Sequence, residues 1–147
     1  MERVITGRQL VAGQGVGHLL VSREPLSFWG GYDAATGTII DRRHPLLGQN
    51  ARGKVLAVPE SRGSSTSTAV LLEAMRRETA PAAIVTNGPD TFIALAAIVG
   101  DELYGKALPV IALDESDFDG LITDTLVTVP GDGTLRLEAH PTGGDRR

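Results

Sequence analysis

Cysteine is absent from this chain of 147 residues, and its absence excludes two kinds of structure. A disulfide-stabilised scaffold requires paired cysteines, and an iron–sulfur cluster ligated by this chain would require their thiolates. The sequence also lacks a histidine spacing typical of other metal sites, because His18, His44 and His140 are isolated from one another. We therefore expect that no metal is bound by this chain itself.

Long hydrophobic runs and a surplus of basic residues are also missing. No stretch reaches the about 20 apolar residues that a membrane-spanning helix requires, and residues 1–7 lack the apolar core of a signal peptide. With a net charge of −4, the chain has no basic stripe to neutralise the phosphates of a nucleic acid. We expect a cytoplasmic protein without membrane or nucleic-acid partners.

The overall composition is typical of a soluble globular protein, with 41% hydrophobic and 22% charged residues. A chain of this length is sufficient for one domain with a substantial core. We predict a single domain over residues 1–140. Residues 141–147 form a polar, glycine-bearing tail that we expect to be disordered.

The most informative stretch is residues 53–77, in which a strand pattern gives way to a helix pattern. Residues 55–58 form a short apolar run that is typical of a buried strand. From Ala69 onward, apolar residues at i, i+4 spacing predict a helix that ends at two arginines, Arg76 and Arg77. The predicted order is therefore strand, turn and helix.

The turn between them, residues 61–68, is rich in hydroxyl groups. It reads Ser-Arg-Gly-Ser-Ser-Thr-Ser-Thr, so six of its eight side chains carry a hydroxyl. The unpaired N–H groups and the positive end of the following helix converge on these hydroxyls, and Arg62 adds a cation. Such a turn can hold a carboxylate or a phosphate, or stabilise a serine that loses its proton. Ordinary helix capping is the alternative interpretation, although six hydroxyls are more than capping requires.

A second unusual stretch is the loop at residues 24–33. The chain has only six aromatic residues, and three of them, Phe28, Trp29 and Tyr32, lie in this loop. Aromatic residues on a loop often cover a pocket or contact a partner. A loop that packs onto the core is the other interpretation.

The remaining elements complete the predicted fold. Residues 82–86 and 109–113 are further buried-type strands, with a helix between them that is capped by Asp90 or Thr91. Residues 122–129 and 134–138 predict a terminal hairpin. A β-rich start, a β-α-β-α-β series and a hairpin together predict an α/β fold, with β layers and helices packed on one side.

Three segments imitate known motifs but lack residues that these motifs require. The glycine cluster at residues 13–17, which we predict to be a turn, does not match a dinucleotide-binding loop, and residues 48–55 lack the Ser/Thr of a phosphate-binding loop. The acidic residues 114–119 lack the glycine and glutamate of a calcium loop, so we predict a solvated turn. The isolated histidines do not indicate a hydrolytic triad.

Residues 7–113 resemble the small, swivelling domain of the aconitase X family, a branch of the aconitase-like dehydratases. The matching stretches are residues 21–31 (VSREPLSFWGG), 36–42 (TGTIIDR), 53–65 (GKVLAVPESRGSS) and 80–84 (APAAI). Several motifs in the right order over most of the chain make this resemblance specific. It implies the swivelling β/β/α fold, in agreement with the predicted order of strands and helices.

The resemblance also implies a partner and a set of site residues. In this family the small domain can be a separate subunit that works only with a large aconitase X subunit, which carries an iron or iron–sulfur centre. The small domain supplies a catalytic serine from the Gly-Ser turn, and this serine maps to Ser64. Its neighbours Arg62, Gly63, Ser65 and Thr66 are the candidate substrate-binding residues. Aconitases proper have an arginine at the position of Thr66, so recognition of a tricarboxylate is not implied.

Two reactions are known in this family: dehydration of cis-3-hydroxy-L-proline in bacteria and of mevalonate 5-phosphate in archaea. Residues 28–31 and 41–46 look more like the bacterial branch. We therefore expect the small subunit of a heterodimeric hydroxyproline dehydratase, with the mevalonate 5-phosphate dehydratase as the alternative. The alternative from another class is a non-catalytic module whose hydroxyl turn holds a carboxylate or a phosphate.

Overall fold

The computed structural model describes residues 2–62 and 65–138, with the backbone alone for Ser65 and Thr66. The strands of this part of the chain are β1 (Glu2–Thr6), β2 (Arg8–Val11), β3 (Gly15–Val21), β4 (Tyr32–Asp33), β5 (Thr38–Ile39), β6 (Val55–Val58), β7 (Ala83–Asn87), β8 (Val110–Leu113), β9 (Leu126–Val129) and β10 (Thr134–Glu138). The helices are α1 (Ser65–Arg77), α2 (Thr91–Tyr104) and α3 (Glu115–Asp119). The tail predicted at residues 141–147 lies outside the described residues.

Eight of these strands form a sheet with the order β1-β10-β9-β3-β6-β7-β8-β2, while β4 and β5 form a separate antiparallel pair. The central strand β3 belongs to two differently built halves. Its residues 15–18 pair with β9 in the antiparallel half, and residues 19–21 pair with β6 in the parallel half. The parallel half continues through β7 to β8, and β2 closes it as an antiparallel edge.

The sheet folds over on itself, because its two end strands are neighbours in the sequence. Only Gly7 separates β1 from β2, which stand at opposite ends of the strand order. The Gly7 N–H donates to the carbonyl of Gly133 at 2.9 Å. A Cβ atom at position 7 would lie 2.9 Å from the Ala112 carbonyl oxygen and 2.5 Å from the Ile111 side chain. The chain therefore crosses between the layers at a glycine, which has no Cβ atom.

The parallel half is a middle layer with a hydrophobic core on each face. In β6, Val55 and Ala57 point to the core between the two β layers, whereas Leu56 and Val58 point to the core beneath the helices. Both α1 and α2 pack on that second core, and they pack against each other. The predicted α/β fold, with β layers and helices on one side, is thereby confirmed.

Three local predictions need correction. β3 begins at Gly15, inside the cluster predicted to be a turn, and a Cβ at Gly17 would lie 2.5 Å from the Gly53 carbonyl oxygen. Helix α1 begins at Ser65, four residues before the predicted start at Ala69. The apolar pattern does not indicate this first turn, because it consists of hydroxyl residues. The acidic segment forms the short helix α3 rather than a solvated turn. None of the described helices is long and apolar enough to cross a membrane.

Candidate functional site

The hydroxyl turn leaves the sheet at the edge where the parallel strands end. β6 ends at Val58 and α1 begins at Ser65, so residues 59–64 connect the carboxyl end of a strand to the amino end of a helix. The neighbouring strands β3 and β7 run parallel to β6 and end at the same edge. Ligands of parallel sheets commonly bind outside the carboxyl ends of the strands.

The predicted site residues fall partly within the described chain. Gly63 and Ser64 lie outside it, so their assignments stay predictions. Arg62 is exposed, and its backbone N–H donates to the Leu26 carbonyl at 2.9 Å. Ser65 and Thr66 are the first two residues of α1, where the N–H groups have no acceptor within the helix.

Asp90 fixes the beginning of the turn. Of the two predicted caps of α2, Asp90 and Thr91, it is the N-cap, and one of its carboxylate oxygens accepts the Ile93 N–H at 2.9 Å. The other oxygen accepts the Ser61 N–H at 2.6 Å and the Ser61 hydroxyl at 2.8 Å. Asp90 is buried; its hydrogen bond from Ile93 is buried as well, whereas the two hydrogen bonds from Ser61 are partly buried. The carboxylate therefore joins the start of α2 to the turn.

The loop after β3 holds the turn from the other side. Leu26 and Ser61 form a parallel β-bridge, and the Leu26 N–H donates to the Glu60 carbonyl at 3.2 Å. The sequence leaves two roles for the aromatic residues of this loop, packing onto the core and contact with a pocket or partner. Phe28 is buried, whereas Trp29 is 65% exposed. The interpretation as a core-packed loop thus holds for Phe28, and Trp29 remains available for a partner.

The helix side of the turn is closely packed. The Ser67 hydroxyl donates to the Arg62 carbonyl at 3.1 Å and is buried. Thr68 Oγ1 is also buried, and it has no hydrogen-bond partner among the described residues. These hydroxyls face a region that leaves no space for a water molecule and is lined by Phe28, Ser61, Ser67, Thr68, Leu71, Phe92 and Ile93.

His44 is not the isolated histidine that the sequence indicates. It is buried, and its Nε2 lies 3.3 Å from both the Ser22 hydroxyl and the Glu24 carbonyl. Its Nδ1 accepts the Leu46 N–H at 3.1 Å, so the proton of the neutral ring resides on Nε2. Because Nδ1 meets a backbone N–H rather than a carboxylate, this pair is not the core of a hydrolytic triad. It anchors the loop that follows β3.

Two further observations concern ionisable groups. Burial raises the pKa of the Tyr32 phenol, whose hydroxyl donates to the Thr79 carbonyl at 2.7 Å beneath the helices. Within residues 2–62 and 65–138, no three His, Asp or Glu side chains lie together as a possible metal site.

Comparison with known proteins places this architecture in a family. A family model described as the aconitase X swivel domain matches residues 4–137. The chain is 43% identical over 145 residues to a cis-3-hydroxy-L-proline dehydratase of Pseudomonas aeruginosa, with 94% of this chain and 25% of that protein covered. It is 36% identical to the protein of that name from Hypocrea jecorina, with 88% and 22% covered. The chain thus spans about a quarter of the length of these two relatives.

Other relatives are of the same size as this chain. It is 40% identical over 132 residues to a phosphomevalonate dehydratase small subunit of Methanothermobacter thermautotrophicus, with 88% of this chain and 96% of that protein covered. A chain in the crystal structure of Thermococcus kodakaraensis aconitase X, holo-form, superposes with a TM-score of 0.82 at 33% identity, with 93% and 99% covered. This chain belongs to the aconitase X swivel domain family.

Proposed function

We propose that this chain is the small subunit of a two-subunit hydro-lyase of the aconitase X type. Its proposed substrate is cis-3-hydroxy-L-proline, and it is active only with a large aconitase X subunit. The observation that carries the proposal is the 43% identity to a dehydratase named for this substrate, which extends over 94% of the chain. The turn at the carboxyl edge of the parallel strands supports it, because that edge is where parallel sheets bind ligands.

The proposed role of Ser64 is to remove the proton from the carbon beside the substrate carboxylate. The hydroxyl then leaves the adjacent carbon and completes the elimination of water; the metal centre of the large subunit would supply the Lewis acid that this leaving group needs. A free serine is too weak an acid to be a ready base, so its alkoxide must be stabilised. The N–H groups at the start of α1, the positive end of this helix and Arg62 are suited to that task.

The contacts of Arg62 are consistent with a role toward an anion. Its side chain is exposed and forms no ion pair with the described residues, so its charge is not neutralised within that part of the chain. Its backbone makes two hydrogen bonds: the N–H donates to the Leu26 carbonyl, and the carbonyl accepts from the Ser67 hydroxyl. Arg62, Gly63, Ser65 and Thr66 are the proposed contacts of the substrate carboxylate.

The iron or iron–sulfur centre of the proposed enzyme belongs to the large subunit, on the basis of the family resemblance. The described residues of this chain do not fit such a group, as no suitable cluster of ligands lies among them. The parts proposed for this chain itself are the proton transfer and the binding of the carboxylate.

A second candidate substrate is mevalonate 5-phosphate. It is favoured by one specific observation: this chain is 40% identical to the small subunit of a phosphomevalonate dehydratase, with 88% of this chain and 96% of that protein covered. Purification with the large subunit and assay of both compounds decides between them. Turnover of hydroxyproline is the expected result, and turnover of mevalonate 5-phosphate alone would assign the second substrate.

The role of Ser64 is tested by Ser64→Ala in the assembled enzyme. Loss of one small hydroxyl should cost no more stability than a lost cap, about 1 kcal/mol, so assembly and metal content should survive. Turnover should fall by about 10²–10⁴-fold, since the proton-transfer step is removed, while substrate affinity changes much less. The small subunit without its partner should be inactive.

Ser65→Ala is the matched control, because it removes a hydroxyl from the next residue. It should cause a milder loss of turnover. If Ser64→Ala retains near-normal turnover while Ser65→Ala abolishes it, the base is Ser65. If neither change matters, the turn binds an anion without catalysis, as the non-catalytic alternative holds.

A further inference from the structure

Helix α2 is apolar on its outward side as well as on the side that packs onto the sheet. Residues 92–100 contain no charged or polar side chain. Four of them are buried against the sheet and α1: Ile93, Ala96, Ala97 and Gly100. On the outward side, a second set of large side chains is 43–63% exposed: Phe92, Leu95, Ile98 and Leu103. We call these four residues the outer stripe of α2.

Such a helix is unusual at a free surface. A surface helix normally carries polar residues along its outward face, whereas the exposed charged residues of α2, Asp101 and Glu102, lie only in its last turn. The stripe runs along a helix of 14 residues, which is about 21 Å long. A continuous exposed apolar surface of this kind typically marks an interaction site.

The two segments outside the described residues, 63–64 and 139–147, are poor in large apolar side chains. Residues 63 and 64 are Gly and Ser, and residues 139–147 read Ala-His-Pro-Thr-Gly-Gly-Asp-Arg-Arg. Neither segment contains a large aliphatic or aromatic side chain. The remaining residue, Met1, precedes β1, which lies in the antiparallel layer rather than beside the helices.

The stripe begins at the edge that carries the candidate site. Phe92 lines an open groove together with Glu60, Ser61, Pro89, Asp90 and Thr91. Ser61 is the first residue of the hydroxyl turn, so the apolar surface is continuous with the site. A partner that closes over the substrate at this turn reaches Phe92 first and Leu95 next.

We propose that the outer stripe of α2 is a docking surface for the large subunit. This inference rests on the proposed function, and it names the face by which the two subunits meet. The comparisons indicate the size of such a partner: in the Pseudomonas aeruginosa relative, three quarters of the protein lies outside the part that this chain matches. In the Methanothermobacter thermautotrophicus relative, the corresponding unit is a separate small subunit.

The test is Leu95→Lys, alone and combined with Ile98→Lys, with Val16→Lys as the matched control. Val16 is 57% exposed, compared with 52% for Leu95, and lies in the antiparallel layer away from the helices. The dissociation constant for the purified large subunit is measured by calorimetry, and circular dichroism verifies folding. We expect at least a tenfold increase for Leu95→Lys, about a hundredfold increase for the double variant and no change for Val16→Lys.

Each remaining outcome has a distinct meaning. If wild type binds the large subunit and catalyses dehydration, and Leu95→Lys binds equally well, the docking surface is wrong while the proposed function stands. If wild type does not bind the large subunit at all, the proposed function fails and the inference fails with it. If Leu95→Lys instead dissociates a dimer of the isolated chain and leaves large-subunit binding intact, the stripe is occupied by a second copy, and the proposal is overturned.

Discussion

Replacement of Asp90 by alanine provides the most direct test of how the turn is held. The carboxylate accepts three hydrogen bonds, from the Ser61 N–H, the Ser61 hydroxyl and the Ile93 N–H. It therefore serves both as the cap of α2 and as the link between α2 and the turn. Alanine removes both functions and leaves two backbone N–H groups without their acceptor.

The expected loss of stability can be worked from these contacts. Loss of an N-cap costs about 1 kcal/mol. A hydrogen bond to a charged group contributes about 1.5–3 kcal/mol, and the Ser61 N–H loses such a bond, which is partly buried. The Ser61 hydroxyl recovers part of its loss because it can rotate toward water. We expect Asp90→Ala to lower the free energy of unfolding by about 3 kcal/mol, or the melting temperature by about 6–12 °C.

Asp114→Ala is the control, since Asp114 caps α3 in the same manner and accepts the Asp117 N–H at 2.9 Å. It is exposed and accepts no hydrogen bond from another loop, so the expected loss is about 1 kcal/mol. Urea unfolding followed by circular dichroism measures both values. The loss of stability for Asp90→Asn should lie between these two values, because the amide NH₂ group replaces one of the two acceptor oxygens. Equal losses for Asp90→Ala and Asp114→Ala would refute the role assigned to the Ser61 contact.

Two further predictions concern packing. Gly7→Ala should destabilise the protein by about 1–3 kcal/mol, because the new Cβ would meet the Ala112 carbonyl. Gly120→Ala is the control and should be nearly neutral, since a Cβ there would have no neighbour nearer than 3.6 Å among the described residues. Equal effects of the two changes in urea unfolding would contradict the account of the layer crossing. Phe28→Ala should cost about 3–5 kcal/mol, and Trp29→Ala less than about 0.5 kcal/mol, because only the first ring is buried. Similar melting temperatures for these two variants would show that their burial is misassigned.

Much of the fold could be predicted because its buried strands are short and continuously apolar. Strand β6 occupies the four residues that the sequence indicates, Val55–Val58, since the middle layer is buried on both faces and needs no alternation. The cap of α2 was also predictable, because an aspartate before an apolar helical pattern is a local feature. The terminal hairpin likewise follows from turn residues between two strand patterns, and β9 and β10 pair as expected, although β9 begins at Leu126 rather than at residue 122.

The pairing of distant segments could not be predicted in the same way. The strand order depends on the closure of the sheet at Gly7, and no local pattern specifies that β1 and β2 occupy opposite ends. The hydrogen bond between His44 and Ser22 joins residues 22 positions apart, and that between Asp90 and Ser61 joins residues 29 positions apart. Each pair consists of single polar residues in loops, so neither hydrophobic periodicity nor a motif spacing indicates the contact.

The described residues account for part of the hydroxyl turn. Of the six hydroxyl groups in residues 61–68, that of Ser61 binds Asp90, that of Ser67 binds Arg62, and that of Thr68 is buried. The hydroxyls of Ser61 and Ser67 thus hold the turn against the helices that flank it, a role that goes beyond ordinary helix capping. Three hydroxyls remain, on residues 64–66, and these are the ones proposed to act on the substrate. The described residues next to these three are held in place, Ser61 by Asp90 and Arg62 by Leu26 and Ser67, which suits the proposed proton transfer from carbon.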